Sequence, residues 1–424
     1  MIALKKTLMV LLFFCFVGAL AFPFLYGVYH TPFYPDENLW LLESKYYKSL
    51  VIDEQPYSDF AGDPNDDKWI LMSLWDQPCA AKRIFIAVSD VFHKDMRSIE
   101  LTRWDFAKSD EYNSGLNTVP PKGVLRFYRY ISGVFGILSC ILVFLIGMKA
   151  SNVYGGAFAA IFMAYNPLMV TSCSRAMAEG VLIFFITLCV YLAGVFLKYL
   201  SDKRYAMVLI LSGIIGIASG LAVGTKFNGA IGFAVFAGLC ACLLAVRFGG
   251  TLKDRPARTV ILSVFLAAVI ALSVFILIDP FLRLAPAQNT IRMFNHRIAT
   301  ARWQGVAFNS QLGSIPERFV YIWRTLFKSG VHIPALFILV ITGLSLMIKD
   351  EFRQIIKNRR PSFRLAVLVW SFITFAALLC TLTLNWARYL VPLIPEIALL
   401  SGYSAAWIFR QAAGIVGPNL SGRR

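Results

Sequence analysis

Apolar runs long enough to cross a bilayer recur about ten times along the 424 residues, at 7–29, 127–148, 154–172, 178–198, 205–224, 228–246, 259–278, 331–348, 364–384 and 389–410. A spanning helix needs about 20 mostly apolar residues, and hydrocarbon offers its backbone no outside hydrogen-bond partner, so only helices and closed barrels can cross. Runs of this length predict an all-α integral membrane protein. The expected architecture is a polytopic bundle of about ten transmembrane helices, one domain over 1–424. The mean hydropathy of +0.65 excludes an ordinary soluble enzyme. The first run follows Lys5 and Lys6, is too long for a signal peptide and has no small-residue cleavage site, so it reads as a retained span.

The net charge of +17 is explained by its placement. With the N-terminus inside, the short cytoplasmic links and tails hold about 19 basic and four acidic residues, as the positive-inside rule requires. No nucleic-acid partner is needed, and both termini are expected in the cytoplasm. Two long segments, 31–126 and 279–330, then fall on the extracytoplasmic side. In the first, Leu39, Leu42, Tyr46 and Leu50, and later Ile84, Phe85, Val88, Val91 and Phe92, recur at helical spacing in stretches too short and charged to span. They predict helices lying in the membrane interface. The link at 225–227 is short enough to be a tight turn.

Chemistry concentrates where the spans meet this outer side. Tyr34-Pro35-Asp36-Glu37 leaves the first span with two adjacent carboxylates, which are costly near hydrocarbon unless they work or are paired. Asp36 would also serve as a helix N-cap. Asp76-Gln77-Pro78 precedes Lys82; Ser174-Arg175 precedes Glu179; Gly224-Thr225-Lys226 joins two spans; Asn385 and Arg388 open the last. Each cation alone could be a side chain snorkelling to headgroups. At one shared depth, cations beside a carboxylate suit a phosphate leaving group displaced by a deprotonated nucleophile. The eight cysteines and four histidines fit no metal-ligand spacing, although a Cys79–Cys173 disulfide is open, and no P-loop, dinucleotide fingerprint or nucleophile elbow stands in context.

These residues resemble the GT-C glycosyltransferases, in the branch of the protein O-mannosyltransferases and the bacterial lipid A aminoarabinose transferase. Tyr34-Pro35-Asp36-Glu37 is similar to the family's first-loop acidic motif, and Asp76-Gln77-Pro78-Cys79-Ala80-Ala81-Lys82 to its second juxtamembrane element. Arg129 with Ser132-Gly133 follows, then Asn166-Pro167 with Ser174-Arg175 and Glu179, then Gly220-Leu221-Ala222 with Lys226, then Arg388-Tyr389-Leu390-Val391-Pro392. The matches keep the family's order over nearly the whole chain. Glu179 stands where the family usually has Asp, Gln77 and Cys79 depart from its pattern, and the chain ends soon after the late motif.

The resemblance implies hexosyl or pentosyl transfer from a polyprenyl- or dolichyl-phosphate sugar to an acceptor hydroxyl at the extracytoplasmic face, with inversion. Asp36 would be the general base, with Glu37 and Glu179 completing the catalytic carboxylates. Lys82, Arg175, Lys226 and Arg388 would hold the donor phosphate, Arg388 foremost. Tyr34, Gln77, Asn385 and Tyr389 would contact substrate. A divalent metal is open, as is an acceptor among protein, lipid and glycan. The membrane would be that of a bacterial or archaeal cell, or the endoplasmic reticulum of a eukaryote. The competing reading is a transporter or lipid flippase, for which paired repeats and broken midplane helices are the usual signs.

Overall fold

The structure, a computed structural model, describes residues 2–54, 78–248, 254–331, 334–358 and 361–416. The described residues are helical, apart from turns and one isolated bridge between Gln311 and Leu384. The first loop face is built by α1 (Ile2–His30), α2 (Pro35–Tyr47) and α3 (Ala80–Val91). The bundle continues through α4 (Lys122–Ala150), α5 (Val153–Ala164), α6 (Pro167–Cys173), α7 (Glu179–Ser201), α8 (Tyr205–Val223), α9 (Ala230–Phe248) and α10 (Arg255–Ile278). Then come α11 (Pro286–Ala307), α12 (Ile315–Thr325), α13 (Pro334–Asn358), α14 (Phe363–Thr381) and α15 (Ile394–Val416).

Among the described residues eight helices are long and apolar enough to span, or nine if α5 and α6, bent by 61° at their junction, count as one span. The run expected at 331–348 includes residues 332 and 333, outside the described residues, and α13, described from Pro334, meets Lys349, Asp350 and Glu351 after too few apolar residues to enter this count. The α5–α6 bend has a local cause. Pro167 cannot continue α5, while Asn166 caps α6 by accepting from the Leu168 and Met169 amides and ties the corner by donating to the Gly330 carbonyl.

Burial ranks the helices. In α15 89% of the spanning window is buried and in α7 72%, against 17% for α1 and α10, so α7 and α15 are the axes and the other two the rim. Close approach needs small residues, because helices in lipid are held by packing rather than by expelled water. A Cβ on Gly343 of α13 would overlap the Leu400 carbonyl of α15, and one on Gly147 of α4 would overlap Gly156 of α5.

The two helices expected in the first long segment are present as α2 and α3, and they pack on the bundle. Phe85 and Ile86 of α3 join Leu41 and Tyr47 of α2 and Tyr128 of α4 in one apolar cluster. α2 is more enclosed than an interfacial helix, with Trp40, Leu41, Leu42, Glu43 and Ser44 buried in succession. The tight turn expected at 225–227 is there, and the Ala80 amide donates to Gly224 at 2.6 Å, fastening α3 to it.

Candidate active site

The two acidic neighbours in the first loop have opposite surroundings. Glu37, fully buried in the first turn of α2, receives Arg129 on both oxygens, Nε at 2.8 Å and Nη2 at 2.7 Å. It also accepts from the Ala176 amide at 2.7 Å and the Tyr34 amide at 3.0 Å. Arg129 in turn donates to the carbonyls of Val28, Thr31 and Pro32. This knot joins the ends of α1, α2 and α4 to the 174–178 corner that carries Arg175. A carboxylate with four donors in place has no lone pair spare for chemistry. Asp36, one residue earlier, stands in the first turn of α2 and not at its N-cap, which is Tyr34, and its one described polar partner is Arg388 Nη1.

Cations and carboxylates then alternate across the site. Lys226 Nζ lies 2.6 Å from Glu179 Oε1, and Lys82 Nζ lies 3.0 Å from Glu43 Oε2. Both ammonium groups sit over Trp40, 5.9 Å (Lys82) and 5.7 Å (Lys226) from its ring centroid. With Glu37–Arg129 and Asp36–Arg388, four ion pairs are made. Arg175 is the fifth cation, and among the described residues it has no carboxylate within salt-bridge reach and its buried Nε has no hydrogen-bond partner. Among the described residues, these five cations thus face four carboxylates in ion pairs.

Aromatic rings hold the two guanidiniums. The Tyr34 ring lies 4.2 Å from the Arg175 guanidinium carbon and 5.4 Å from that of Arg388, which also stands 4.6 Å from Trp386 and 5.6 Å from Tyr389. Such contacts fix a cation without neutralising it. Burial pushes the Tyr34 hydroxyl above its ordinary pKa, with Arg388 and Arg175 opposing and Asp36 adding, so the phenol stays neutral. Burial pulls Arg175 below its ordinary value, against the counter-pull of Glu37 and Tyr34. Tyr389 stacks on Trp386 and its hydroxyl accepts from Arg297 Nη2 at 3.3 Å. Beyond Tyr389 opens a mostly apolar cavity of about 680 Å³, walled by α9, α11 and α14, with Arg297, Arg302 and Arg318 on its lining.

Of the residues singled out in the sequence, Tyr34, Asp36, Glu37, Glu179, Lys226, Arg175, Arg388 and Tyr389 meet here. Lys82 is wholly buried against Glu43 and Trp40, the ring that Lys226 also approaches. Asn385 is exposed, its amide bonded to the Ser310 carbonyl, and Gln77 lies outside the described residues. Sequence reasoning passed over Glu43, Trp40, Trp386 and Arg297, and named Arg129 only within a motif. An arginine inside the start of an apolar run was the signal available for Arg129. Cys79 and Cys173 are both free thiols, not a disulfide. Among the described residues no group of three His, Cys, Asp or Glu side chains is placed to hold a metal ion.

Residues 80–284 match the family model for dolichyl-phosphate-mannose-protein mannosyltransferases. No curated protein sequence matches the chain. The fold is similar to that of the Archaeoglobus fulgidus oligosaccharyltransferase in its apo form, at 14% identity and a TM-score of 0.55, covering 96% of this chain and 52% of that one. It is similar to ArnT from Cupriavidus metallidurans bound to undecaprenyl phosphate, at 14% identity and a TM-score of 0.55, covering 95% and 62%. The archaeal oligosaccharyltransferase AglB in complex with an inhibitory peptide and a dolichol-phosphate gives 14% identity, a TM-score of 0.52, and 95% and 52% coverage. The chain thus spans between about half and three-fifths of the length of these proteins. It is an integral membrane protein of the GT-C fold, carrying over residues 80–284 the sequence pattern of the dolichyl-phosphate-mannose-protein mannosyltransferases.

Proposed function

We propose that the chain is a glycosyltransferase that moves a monosaccharide from a polyprenyl- or dolichyl-phosphate donor to an acceptor hydroxyl on the extracytoplasmic face. The observation that carries this reading is the Asp36–Arg388 pair, set beside Arg175 with its unpartnered buried Nε, while an apolar cavity opens at Tyr389, which stands against Arg388. The cavity suits an isoprenoid chain, and the two guanidiniums suit a phosphodiester. The matched family's name and the lipid phosphates bound by ArnT and AglB point the same way.

In this mechanism Arg388 and Arg175 hold the phosphate, with Lys226 within the same cluster. The acceptor oxygen attacks the anomeric carbon from the face opposite the phosphate. The carbon–oxygen bond to phosphate breaks, its electron pair stays on the phosphate oxygen, and Asp36 takes the acceptor proton. The product is an inverted glycoside and a lipid phosphate. Glu37, held by Arg129, positions Asp36 and Arg175; Glu179 positions Lys226. The test is transfer by the purified full chain, offered a panel of polyprenyl-phosphate sugars and acceptor hydroxyls. Asp36→Asn is expected to lose about 10²–10⁴-fold in turnover while expressing stably, since the amide is nearly isosteric. The N-cap of α2 is Tyr34 and Asp36 stands inside the first turn, so near-normal transfer by Asp36→Asn would leave Asp36 a first-turn carboxylate facing the helix dipole and remove the base from the mechanism.

A further inference from the structure

The base and the principal phosphate-binding cation are partners in one ion pair. Asp36 Oδ2 accepts from Arg388 Nη1, while the buried Nε of Arg388 has no partner. The guanidinium therefore presents one edge to the carboxylate and keeps another for a ligand. Tyr34, Trp386 and Tyr389 hold its plane in place. Glu37 cannot stand in for Asp36, because Arg129 and two backbone amides occupy it. Whatever happens to the charge of Asp36 is felt at the free edge of Arg388, through a side chain only 12% exposed.

We infer that Asp36 controls how tightly Arg388 grips phosphate, so that protonation of the base strengthens binding of the leaving group. The inference rests on the donor reading above. With Asp36 ionised, Nη1 of the guanidinium is committed to the carboxylate, and Arg175, which has no carboxylate partner among the described residues, is left for a phosphodiester monoanion. When the acceptor proton reaches Asp36, that commitment ends. In the same step the phosphate oxygen gains the electron pair of the broken bond, and the phosphate group moves toward a dianion. The site's charge rises by one as the ligand's falls by one. An interaction that is stronger after proton transfer than before it favours the transition state over the bound donor.

An amide at position 36 imitates the protonated base. Asp36→Asn should therefore bind undecaprenyl phosphate about tenfold or more tightly than the native protein, since a charge-assisted bond in a partly buried site is released to the ligand. Affinity is measured by titrating undecaprenyl phosphate into the full-length protein in detergent and counting bound lipid by native mass spectrometry. Adding Arg388→Gln to Asp36→Asn should abolish the gain. Glu111→Gln, which removes one negative charge from an exposed helix without touching Arg388, should leave affinity unchanged. Equal binding by native and Asp36→Asn proteins, or a gain that survives Arg388→Gln, overturns the inference and leaves the donor reading standing. Absence of undecaprenyl phosphate binding to either protein removes both. Should Asp36→Asn fail to fold, Asp36→Ser, which likewise removes the charge and keeps a polar side chain in the first turn of α2, carries the same comparison.

Discussion

Asp36 and Glu37 are chemically near-identical and one bond apart in the chain, and the first turn of α2 sends them to different work. Glu37 faces inward to a bidentate arginine, so removing its charge strands Arg129 in a buried site. Breaking such a pair on one side costs about 3–5 kcal/mol. Arg129→Leu, or Glu37→Gln, is expected to lower the thermal midpoint of the detergent-solubilised protein sharply, whereas Asp36→Asn should leave it within the scatter of surface substitutions. A melting curve unchanged by Arg129→Leu would show that the knot is not structural. The sequence made these two carboxylates conspicuous but could not divide them, because a side chain's partner at position 129 depends on how α1 and α4 pack. Assigning catalysis to both followed from that blindness. Lys82 shows the same limit. Its charge and spacing matched a phosphate ligand, while its burial against Glu43 is a property of the α2–α3 contact.

At the level of elements, the turn between α8 and α9 is the most tightly built part of the site. Lys226 leaves α8 in an extended conformation and a single 3-10 turn, Phe227–Gly229, follows at once. A Cβ on Gly229 would enter the Ala222 carbonyl of α8, so Gly229→Ala must push the turn outward. Overpacking of this kind costs about 1–3 kcal/mol. It is expected to carry Lys226 away from Glu179 and weaken donor binding with little change in expression; an unaltered donor KM would argue that the turn does not set the lysine. The glycines and lysine of this turn were legible as a motif, and its tightness from the length of the link. The bend at Asn166-Pro167 was not read from sequence, although proline after a capping residue was its sign, because the apolar run continues through it and hides the break.

For the whole molecule, the polytopic helical class and the order of the spans followed from hydropathy, while the convergence of charges depended on contacts between residues as far apart as Asp36 and Arg388. The lysine and arginine asymmetry predicts an extracytoplasmic site and cytoplasmic termini. Single cysteines placed at exposed Glu111 and exposed Arg353, in a background where the native cysteines are replaced, give the test. Glu111→Cys is expected to react with a membrane-impermeant maleimide in intact cells, and Arg353→Cys only after permeabilisation. The opposite pattern would place the site on the cytoplasmic side.

The apolar cavity beside Tyr389 has a consequence for how the rate is to be expressed. A ligand whose chain occupies that cavity arrives by lateral diffusion in two dimensions and never passes through bulk water. What governs encounter is then its mole fraction in the bilayer. In proteoliposomes, diluting the donor with inert phospholipid at constant total donor should slow transfer in proportion, whereas adding buffer around the same vesicles should leave the rate per vesicle unchanged. Dependence on buffer volume instead would mean that the donor is collected from solution. The meaningful saturation constant is therefore a surface density.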